Sequence, residues 1–533
     1  MQRRDFIKSA SLLAGGCLWP LVSNSFALRE EGDSTSISFE TTDGRYQSVY
    51  LHALQTLRAN IVRVANYAER VLIEGANYQG AWLECAPLEA LVYAPVRADV
   101  ARNNHLVFFA LQRDDGQIPC WVRKTAVGFA QIQMVVPIAA TAWEAAQTSG
   151  NSELLEKAYS ACGKWDLWLR KYRDTRHTGL CEGFCAYDTG HDNSPRWAGI
   201  PNRCPDGDAR KCPSIPSLPR LSPDLSATVY GGRIALAAMA RALGKQEDED
   251  RWLNDAETIR TAILKKLYSE EDSAFYDVDA KDRFVHIRGD VITRVLGEHV
   301  VDQKLFDVIY RRQIHNPSAF WAPFPFPSIA LDDPTFVRPI PPNSWGGAAQ
   351  ALTALRAPRW MEHYEKPADL AHVMQKWVEA ILKVNAFLQQ MDPLNANFTT
   401  GEADYSPAAL VFFDFTWRLA GVRMAGHELE WNVRPMPANV RANYQWRLSP
   451  TSAARLGYSD GMAQLTMNNR ELCRTNSTVR LITDESGNLK RATGIAEVSE
   501  TVILQLSSGR EQRFQIKPNQ IANIAKMQAA PLH

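Results

Sequence analysis

The segment SVYLHALQTLRANIVRVANYAERVLI, residues 48–73, places leucine, isoleucine and valine at spacings of three and four residues. This periodicity puts the apolar side chains on one face of an α-helix. It dominates from about residue 46 to residue 422, and further helices are predicted to begin near residues 98, 128, 154, 225, 248, 302, 344, 367 and 406. Loops rich in Pro, Gly, Asp and aromatic residues separate these segments. The sequence predicts a mainly α fold, in which paired helices close into a toroid with the loops at one end of a funnel.

The pattern changes after about residue 428. Segments such as AEVSETVILQLSSGREQRFQI, residues 496–516, alternate polar and apolar residues and are separated by turn signals. We therefore predict a small C-terminal antiparallel β domain over residues 429–533, with its strands between about 429 and 525, after a helical domain over residues 28–428. A structural role is expected for it, because no carbohydrate-binding motif supports another.

The overall composition excludes several classes of function. The chain has 533 residues, of which 45% are hydrophobic, and its 59 basic residues balance its 59 acidic residues. That balance gives no support to nucleic-acid binding or to electrostatic docking on a membrane. No glycine-rich nucleotide-binding motif occurs, and the Cys and His spacing does not fit a structural zinc site, so neither a cofactor nor a metal is expected. Cys204 and Cys212 flank a short loop and could pair, with Cys181 and Cys185 as the next candidate pair.

The first residues have the features of an export signal. RRDFIK, residues 3–8, is a twin-arginine pattern, and a short apolar run leads to SFA at residues 25–27. We predict a signal peptide over residues 1–27, recognition by the twin-arginine translocation machinery, and a periplasmic or secreted protein. The run is too short for a stable membrane span. A short helix of a cytosolic protein is the alternative, and Cys17 fits a lipidation motif poorly.

A loop in the middle of the chain carries the first candidate for catalysis. TGHDNSPRW, residues 189–197, concentrates polar and aromatic groups between turn-forming residues. A general acid needs a carboxyl group that keeps its proton near neutral pH, and apolar or anionic surroundings raise the pKa enough for this. Asp192 lies close to Asp188 and Trp197 in sequence. The alternative interpretation is that Asp192 caps the turn DNSP.

TGHDNSPRW resembles the ESGWDxSxRW signature of the trehalase family and its six-hairpin glucosidase relatives. In that family the motif's Asp is the general acid, which corresponds to Asp192, while its Gly, Arg and Trp correspond to Gly190, Arg196 and Trp197. Asp188 stands where the family has Glu. Four further stretches resemble family segments in the same order: DDGQIPCW, SPDLSATVYGGRIALAAMARALGK, LYSEEDSAFYDVD and PPNSWGGAAQALTAL. The resemblance covers roughly residues 80–420 and implies a glycoside hydrolase with an (α/α)6 toroid.

An inverting glycosidase also needs a carboxylate base, roughly 6.5–9.5 Å from the acid, to activate a water molecule. The family's base is a Glu in an E-x-Y-D/N stretch, and here that stretch reads QQMDP with Gln389 at the position of the Glu. Downstream, Glu402 in TTGEADYSP matches a second acidic position of the family. Our hypothesis is that Glu402 is the base, with Asp404 in reserve. Glu402 could instead only place charge at the start of the following helix, or the protein could bind sugars without hydrolysing them.

The rich loops also supply candidates for substrate binding. Aromatic rings can stack on the C–H face of a sugar, and an Arg such as Arg338 can hold a hydroxyl or a carboxylate. Trp82 and Glu84 precede the early hairpin as an aromatic and acid pair does in related enzymes. For each Trp the alternative is a place in the core. The predicted substrate-binding residues are Trp82, Glu84, Gln112, Trp121, Asp188, Arg196, Trp197, Trp321, Arg338, Asn343 and Trp345.

These features together predict an exported, inverting glycoside hydrolase acting on an α-linked sugar. The trehalase signature PGGRFxExYxWD is absent, so an α-glucoside, an α-mannoside or a charged small glycoside such as mannosylglycerate fits equally well. A carbohydrate-binding protein and a polysaccharide lyase on the same fold are the alternatives, because one scaffold carries many chemistries.

Overall fold

A computed structural model describes residues 36–399 and 402–524. The predicted signal peptide, residues 1–27, and Cys17 lie outside these ranges. Within the described residues, the helices all fall short of the length and apolar character needed to cross a membrane.

Twelve α-helices occur in the described residues, and they occupy the first four-fifths of the chain. They are α1 (Gly44–Ala59), α2 (Ala86–Tyr93), α3 (Ala98–Ala110), α4 (Ile138–Ser149), α5 (Ser152–Tyr172), α6 (Pro223–Ala242), α7 (Gln246–Lys266), α8 (Val291–Gly297), α9 (Gln303–Ile309), α10 (Ala351–Met361), α11 (Pro367–Val384) and α12 (Ser406–Ala420).

Local sequence explains where several helices begin and end. The side chain of Asp43 accepts hydrogen bonds from the first-turn N–H groups of α1, and Asn151 does the same for α5. Gly150 ends α4 in the left-handed conformation, which costs a glycine little. Proline stands in the first turn of α6, α11 and α12. N–H groups in a first turn make no hydrogen bond within the helix, so the lack of one in proline costs nothing there.

Six of the helices form a closed ring. Each of α2, α4, α6, α8, α10 and α12 packs against the next in this order, and α12 packs against α2. Helices α3, α5, α7, α11 and α1 pack against α2, α4, α6, α10 and α12, respectively. Buried apolar side chains from all of these helices belong to one hydrophobic core.

Short strands order the long loops between the helices. They are β2 (Ile61–Arg63), β3 (Arg70–Leu72), β4 (Gly80–Trp82), β5 (Trp121–Arg123), β6 (Val127–Gly128), β7 (Glu182–Gly183), β8 (Arg220–Leu221), β9 (Tyr268–Ser269), β10 (Ala274–Phe275), β11 (Asp277–Val278), β12 (Phe284–Val285), β13 (Ala349–Gln350) and β14 (Gln390–Met391). Strands β4, β5 and β6 form one sheet, β7, β8, β11 and β12 another, and β13 pairs with β14. These pairings bring together loops that are far apart in sequence.

The C-terminal region consists of two antiparallel sheets, which confirms the predicted β-rich region. Its strands are β15 (Val422–Ala425), β16 (Glu428–Val433), β17 (Ala442–Ser449), β18 (Ser452–Ser459), β19 (Met462–Met467), β20 (Arg470–Thr475), β21 (Val479–Asp484), β22 (Leu489–Thr493), β23 (Glu500–Leu506), β24 (Glu511–Ile516) and β25 (Ile521–Asn523). One sheet has the order β15-β16-β21-β22-β25. The other has the order β1-β17-β18-β19-β20-β23-β24, where β1 is Ile37–Thr41.

The structure departs from the predicted organisation at several places. Strand β1 pairs with β17, so this N-terminal segment is part of the C-terminal sheet rather than of the helical domain assigned to residues 28–428. Residues 48–73 are helical only as far as Ala59, because the second half of the segment forms the hairpin of β2 and β3. The apolar spacing alone could not separate a helix from a short buried hairpin. The predicted start near residue 128 falls ten residues before α4, and α2 and α8 were not predicted.

Candidate active site

The loop that carries Asp192 is held between two single turns of 3-10 helix, Ala186–Asp188 and Pro195–Trp197. A second loop, which precedes β13, lies directly against it. The backbone N–H of Trp345 donates to the carbonyl of Asp192 at 3.0 Å, and Nδ2 of Asn193 donates to the carbonyl of Asn343 at 2.8 Å. The two loops that the sequence analysis selected, one with the acid and one with Asn343 and Trp345, are therefore in contact.

The Asp192 carboxyl group begins a chain of hydrogen bonds across the site. Nδ2 of Asn343 donates to Oδ2 of Asp192 at 3.1 Å. Nε2 of Gln389 donates to Oδ1 of Asn343 at 3.0 Å, and the hydroxyl of Tyr78 donates to Oε1 of Gln389 at 3.2 Å. The candidate acid is thus connected to Gln389 through the side-chain amide of Asn343.

Burial raises the pKa of Asp192 to about 6, because the charged form loses its hydration. The hydrogen bond from Asn343 favours the charged form and opposes this shift. A carboxyl group with this pKa keeps its proton in mildly acidic solution and ionises close to neutrality. That is the behaviour required of a general acid.

Glu84 is a second carboxyl group in the site. It lies at the end of β4 and is buried, and burial together with the charge of Asp192 raises its pKa to about 7. Arg294 and Arg356 act in the opposite direction. A Cβ atom on Gly190 would lie 1.6 Å from Oε2 of Glu84, and Gly190 has a φ of +62°. The glycine two residues before the acid is therefore required both by the backbone and by the carboxyl group that rests on it.

Two more glutamates complete what we call the carboxyl cluster: Glu74, Glu84, Glu89 and Asp192. Glu74 is buried, and the hydroxyl of Tyr405 donates to its Oε1 at 2.6 Å. Burial, followed by the charges of Glu89 and Glu84, raises the pKa of Glu74 well above its usual range. Burial also raises the pKa of Glu89 to about 7. The cluster therefore holds several protons at the pH where an isolated carboxylate is ionised.

A second set of charged residues, in which arginines pair with aspartates, contacts the acid loop. We call it the arginine–aspartate network and define it by Arg196, Arg294, Asp224, Asp277 and Asp290. Arg196 donates to both oxygens of Asp224 at 2.7–2.8 Å and to both oxygens of Asp277 at 2.6 Å. Arg294 donates to the carbonyl of Thr189, which precedes Gly190, at 2.6 Å. The pKa values of Asp224 and Asp290 are lowered because the attraction of their basic partners outweighs burial.

His191 links the acid loop to this network. Its Nδ1 lies 3.0 Å from Nη1 of Arg196, and its Nε2 lies 2.9 Å from Oδ1 of Asp290. Because a guanidinium can only donate, Nδ1 accepts and the proton of the neutral ring is on Nε2. Burial and the charge of Arg294 lower the pKa of His191 to about 4. The histidine next to the acid is thus neutral and fixes the loop.

An aromatic cluster forms one wall beside the carboxyl groups. Trp82 in β4 stands opposite Trp121 in β5, and Trp345 packs in the same group with Tyr78. The guanidinium of Arg123 lies 5.2 Å from the ring centre of Trp82 and 4.8 Å from that of Trp121. The structure therefore brings together three of the predicted tryptophans. Trp82 and Trp345 are nearly buried, and Trp121 is partly exposed.

Three predicted substrate-binding residues instead support the acid loop. All five N–H groups of Arg196 donate within the protein, so none remains for a sugar. Asp188 is buried and accepts from Arg173 and from the backbone N–H groups of residues 132, 184 and 185. Trp197 is buried and donates to Thr189 at 2.9 Å. The prediction of direct substrate contact is therefore corrected for Arg196, Asp188 and Trp197.

Gln112 and Trp321, two further predicted substrate-binding residues, contact other parts of the protein. Nε2 of Gln112 donates to the carbonyls of Gly116 and Ala161, and it fixes a turn against α5. Trp321 stacks on His372 of α11, with ring centres 5.4 Å apart, and also contacts His315. Neither has a recorded contact with the carboxyl cluster. Arg338 is half exposed and donates to Oδ2 of Asp392 at 3.2 Å, three residues beyond Gln389.

The two candidate bases lie on a loop whose ends are both anchored at the site. The loop follows β14, which begins directly after Gln389, and it ends at Tyr405, which binds Glu74. Glu402 is exposed. Asp404 is also exposed, and its carboxylate accepts from Thr56 at 3.3 Å and lies 3.8 Å from Nε2 of His52. Its recorded side-chain contacts are with helix α1 and not with the carboxyl cluster.

Sequence reasoning missed Glu74, Glu89 and Tyr78. Each stands near Glu84 in the chain, in LIEGANYQGAWLECAPLEAL at residues 72–91, where three glutamates interrupt an otherwise apolar and aromatic stretch. Glutamates in an apolar stretch are expected to be buried. Because an isolated buried carboxylate is energetically costly, such residues are candidates for a functional site. The signal was available, but only the pair Trp82 and Glu84 was selected.

Two groups of side chains in the described residues have the spacing of metal ligands. Glu74, Glu84 and Cys85 form one group, and Cys185, Asp188 and Cys204 form the other, with ligand atoms within 4.8 Å of one another. The raised carboxyl pKa values mean that a cation in the first group would have to displace protons.

The site thus combines a ring of helices, a carboxyl group with a raised pKa and a group of aromatic side chains. Residues 78–406 match the mannosylglycerate hydrolase MGH1-like glycoside hydrolase domain. This range covers more than half of the 533 residues, and the chain belongs to the MGH1-like glycoside hydrolase family. A search of the curated proteins finds no significant match.

Similar solved structures agree on the fold. The GH63 mannosylglycerate hydrolase of Thermus thermophilus, in complex with glucose, superposes with a TM-score of 0.57 at 17% identity, over 69% of this chain and 99% of that one. The neutral trehalase Nth1 of Saccharomyces cerevisiae gives 0.53 at 13% identity, over 70% and 80% of the two chains. An α-L-rhamnosidase from Dictyoglumus thermophilum gives 0.52 at 11% identity, over 91% of this chain and 50% of that one. A match of that extent includes strands of the C-terminal region. The predicted resemblance to six-hairpin hydrolases is confirmed.

Proposed function

We propose that this glycoside hydrolase is an inverting enzyme that acts on an α-linked sugar, with Asp192 as its general acid. One observation carries the proposal: a carboxyl group with a pKa of about 6 is held by Asn343 in a hydrogen-bond chain that ends at Gln389 and Tyr78. We also infer that the ring of six inner helices and their outer partners is an (α/α)6 toroid. Its loops would then enclose the sugar.

In the proposed reaction Asp192 gives its proton to the glycosidic oxygen as the bond to the anomeric carbon breaks. A water molecule attacks that carbon from the opposite face, and its proton passes to a carboxylate base. After the reaction Asp192 is a carboxylate and the base is a carboxylic acid. Exchange of one proton with the solvent then restores both groups to their starting states. The α-glycoside yields a β-configured sugar first.

We propose Glu402 as the base and keep Asp404 in reserve. Support for Glu402 comes from its loop, which starts beside Gln389 and ends at Tyr405, and from its exposure, which leaves the carboxylate accessible to water. Asp404 has weaker support because its carboxylate contacts Thr56 and His52 on α1. Gln389 itself is neutral and cannot accept the proton of water.

The side chains around the site are compatible with several classes of α-linked sugar. Trp121 is partly exposed and offers an aromatic surface for a sugar beside the buried Trp82 and Trp345, while Arg123 and Arg338 are exposed cations that could hold a carboxylate. α-Glucosides, α-mannosides and small charged glycosides such as mannosylglycerate all fit. The T. thermophilus neighbour is named for mannosylglycerate, which places that compound first among the substrates to be tested.

The test is hydrolysis of a panel of α-glucosides, α-mannosides, trehalose and mannosylglycerate, with the first-formed anomer followed by NMR. The variants are Glu402→Gln and Asp404→Asn, and the matched control is Glu270→Gln, an exposed glutamate in a turn after β9. We expect a first-formed β-anomer, a loss of activity of roughly 10²–10⁴-fold in Glu402→Gln, and normal activity in the control. Loss in Asp404→Asn alone would assign the base to Asp404, and an α-anomer would rule out inversion.

A second possibility is favoured by Gln389, which occupies the position of the family's base. In that case the protein binds a glycan but hydrolyses nothing on the panel. The decisive variant is Gln389→Glu, which restores the carboxylate with almost no change in shape. Hydrolysis that appears only in Gln389→Glu would establish that the natural chain has lost its base. A lyase would instead release an unsaturated product that absorbs in the ultraviolet.

We also propose export by the twin-arginine machinery to the periplasm or beyond, on the basis of RRDFIK and the apolar run that follows it. The test is fractionation of cells that express the full chain or the double variant Arg3→Lys and Arg4→Lys. The natural chain should appear outside the cytoplasm in a shortened form, and the double variant should stay inside. A full-length cytoplasmic protein in both cases would disprove export.

A further inference from the structure

Two thiols bracket the loop that carries the acid. Sγ of Cys204 lies 3.7 Å from Sγ of Cys185, and both side chains are buried. Cys185 precedes the 3-10 turn Ala186–Asp188, and Cys204 precedes the turn Pro205–Gly207. Residues 186–203, with Asp192 among them, lie between. The sequence analysis considered Cys204 with Cys212 and Cys181 with Cys185, whereas the structure brings Cys185 and Cys204 together.

The pair is enclosed by a cation and by apolar side chains. Nη2 of Arg173 lies 3.6 Å from Sγ of Cys204. A thiolate is the nucleophile in thiol–disulfide exchange, and Cys204 is the sulfur of the pair that this guanidinium contacts. Cys185 packs against Phe184 and Cys204, and Cys212 packs on the same group from a partly exposed position.

A metal ion fits this place poorly, although Asp188 has the spacing of a third ligand. The Asp188 carboxylate already accepts two hydrogen bonds from Arg173 and three from backbone N–H groups. The guanidinium of Arg173 would also repel a cation that approached Cys204. The geometry therefore favours a bond between the two sulfurs over a shared ion.

We propose that Cys185 and Cys204 form a disulfide bond that closes the acid-bearing loop into a covalent ring. The oxidant is another disulfide, either a small molecule or an oxidoreductase. The Cys204 thiolate attacks it, forms a mixed disulfide and releases one thiol. Cys185 then attacks the Cys204 sulfur, loses its proton and releases the second thiol. Two protein thiols are oxidised by two electrons, and one disulfide is reduced to two thiols.

Bond formation requires the two sulfurs to approach from 3.7 Å to about 2.05 Å. The bond constrains residues 186–203 in the unfolded chain and limits opening of the folded loop. It would hold the backbone of Asp192 near Trp345 and Glu84 without touching the reacting groups. This proposal rests on the thiols alone and does not depend on the identity of the sugar.

The first experiment maps the bond in the natural chain. The purified full chain is equilibrated in glutathione buffers from fully reduced to fully oxidised, alkylated, and digested without reduction. We expect a peptide that joins Cys185 to Cys204 to appear as the buffer becomes oxidising. A dominant Cys204–Cys212 or Cys181–Cys185 peptide would overturn the proposal. So would full alkylation of Cys185 and Cys204 in oxidised glutathione.

The second experiment measures the consequence. The melting temperature of the oxidised protein should exceed that of the reduced protein by about 2 °C or more. Cys185→Ala and Cys204→Ala should each remove this redox-dependent difference, whatever their effect on stability itself. Cys473→Ala is the matched control, because Cys473 is a buried cysteine in strand β20, and it should keep the difference. A difference that persists in Cys204→Ala would contradict the proposal.

Discussion

The carboxyl cluster and the arginine–aspartate network both contact the loop that carries Asp192, yet the pKa values of their carboxyl groups are shifted in opposite directions, upward in the cluster and downward for Asp224 and Asp290. In the network, Asp224, Asp277 and Asp290 each have an arginine partner. In the cluster, Glu74 and Glu89 lie among other acids, and burial raises their pKa values. The comparison shows that buried carboxyl groups serve different ends according to their partners: paired ones hold the backbone, and unpaired ones keep protons.

The largest expected effect follows from removing the acid. Asp192→Asn keeps the hydrogen bond from Asn343 possible but cannot donate a catalytic proton to the leaving group. We expect kcat/KM to fall by roughly 10²–10⁴-fold with no loss of the folded state. The control is Asp206→Asn, because Asp206 is an exposed residue of the same region that pairs with Lys211. An active Asp192→Asn enzyme would remove Asp192 from the mechanism.

Breaking the network should affect stability more than chemistry. Arg196→Ala leaves Asp224 and Asp277 buried without their main partner, and the loss of one side of a buried pair costs about 3–5 kcal/mol. Arg210→Ala removes an exposed arginine that pairs with Asp208, and it should change little. Urea unfolding of both variants measures the difference. Equal midpoints for the two would mean that the network does not hold the loop.

Gly190 lies at the boundary between the two groups. In Gly190→Ala the added methyl group would meet the Glu84 carboxyl group at 1.6 Å, in addition to the strain of a positive φ. Gly150→Ala has the same kind of strain, with a φ of +63°, but open space around it. We expect about 1 kcal/mol of destabilisation in Gly150→Ala and about 1–3 kcal/mol more in Gly190→Ala, with loss of activity. Similar values in urea unfolding would show that Glu84 moves aside freely.

The protons of the carboxyl cluster should appear as a pH dependence of stability. The pKa of Glu84 rises from 4.5 to about 7 on folding, so the folded state binds more protons between these values. Its stabilisation is complete below pH 4.5 and is lost as the pH rises through 7, at a rate on the order of 1 kcal/mol per pH unit. Glu84→Gln should flatten the stability curve in this window. Glu156→Gln, an exposed change on α5, should leave the curve as it is.

The smallest effect concerns the pKa of the acid itself. The hydrogen bond from Asn343 favours the ionised form of Asp192 and keeps its pKa from rising further. In Asn343→Leu the pKa should rise above 6, and the alkaline fall of kcat/KM should move to higher pH by a fraction of a unit. A pH profile measured on one substrate is sufficient. A shift to lower pH would mean that Asn343 stabilises the protonated acid instead.

Much of the helical order and the acid loop could be predicted from sequence, because periodicity and motif order are local properties. The roles of Arg196 and Asp188 could not be predicted in this way. Their partners, Asp277 and Arg173, are brought close by the pairing of β8 with β11 and by the end of α5, which no local pattern reveals. Glu74 differs, because its apolar surroundings in sequence were a local signal for burial, and only its partner Tyr405 is distant in the chain. Charged residues at a motif were read as contacts for a ligand, whereas several are satisfied inside the protein.

The contacts between the two ends of the chain have a consequence for biosynthesis. Helix α1 completes its packing against α12, where Trp417 donates to the hydroxyl of Tyr50, and β1 pairs with β17. Helix α1 and strand β1 therefore depend on partners more than 360 residues later in the chain to cover their apolar faces. These contacts between distant segments can form only when most of the chain has been synthesised, so folding of the helical region is coupled to the completion of strand β17.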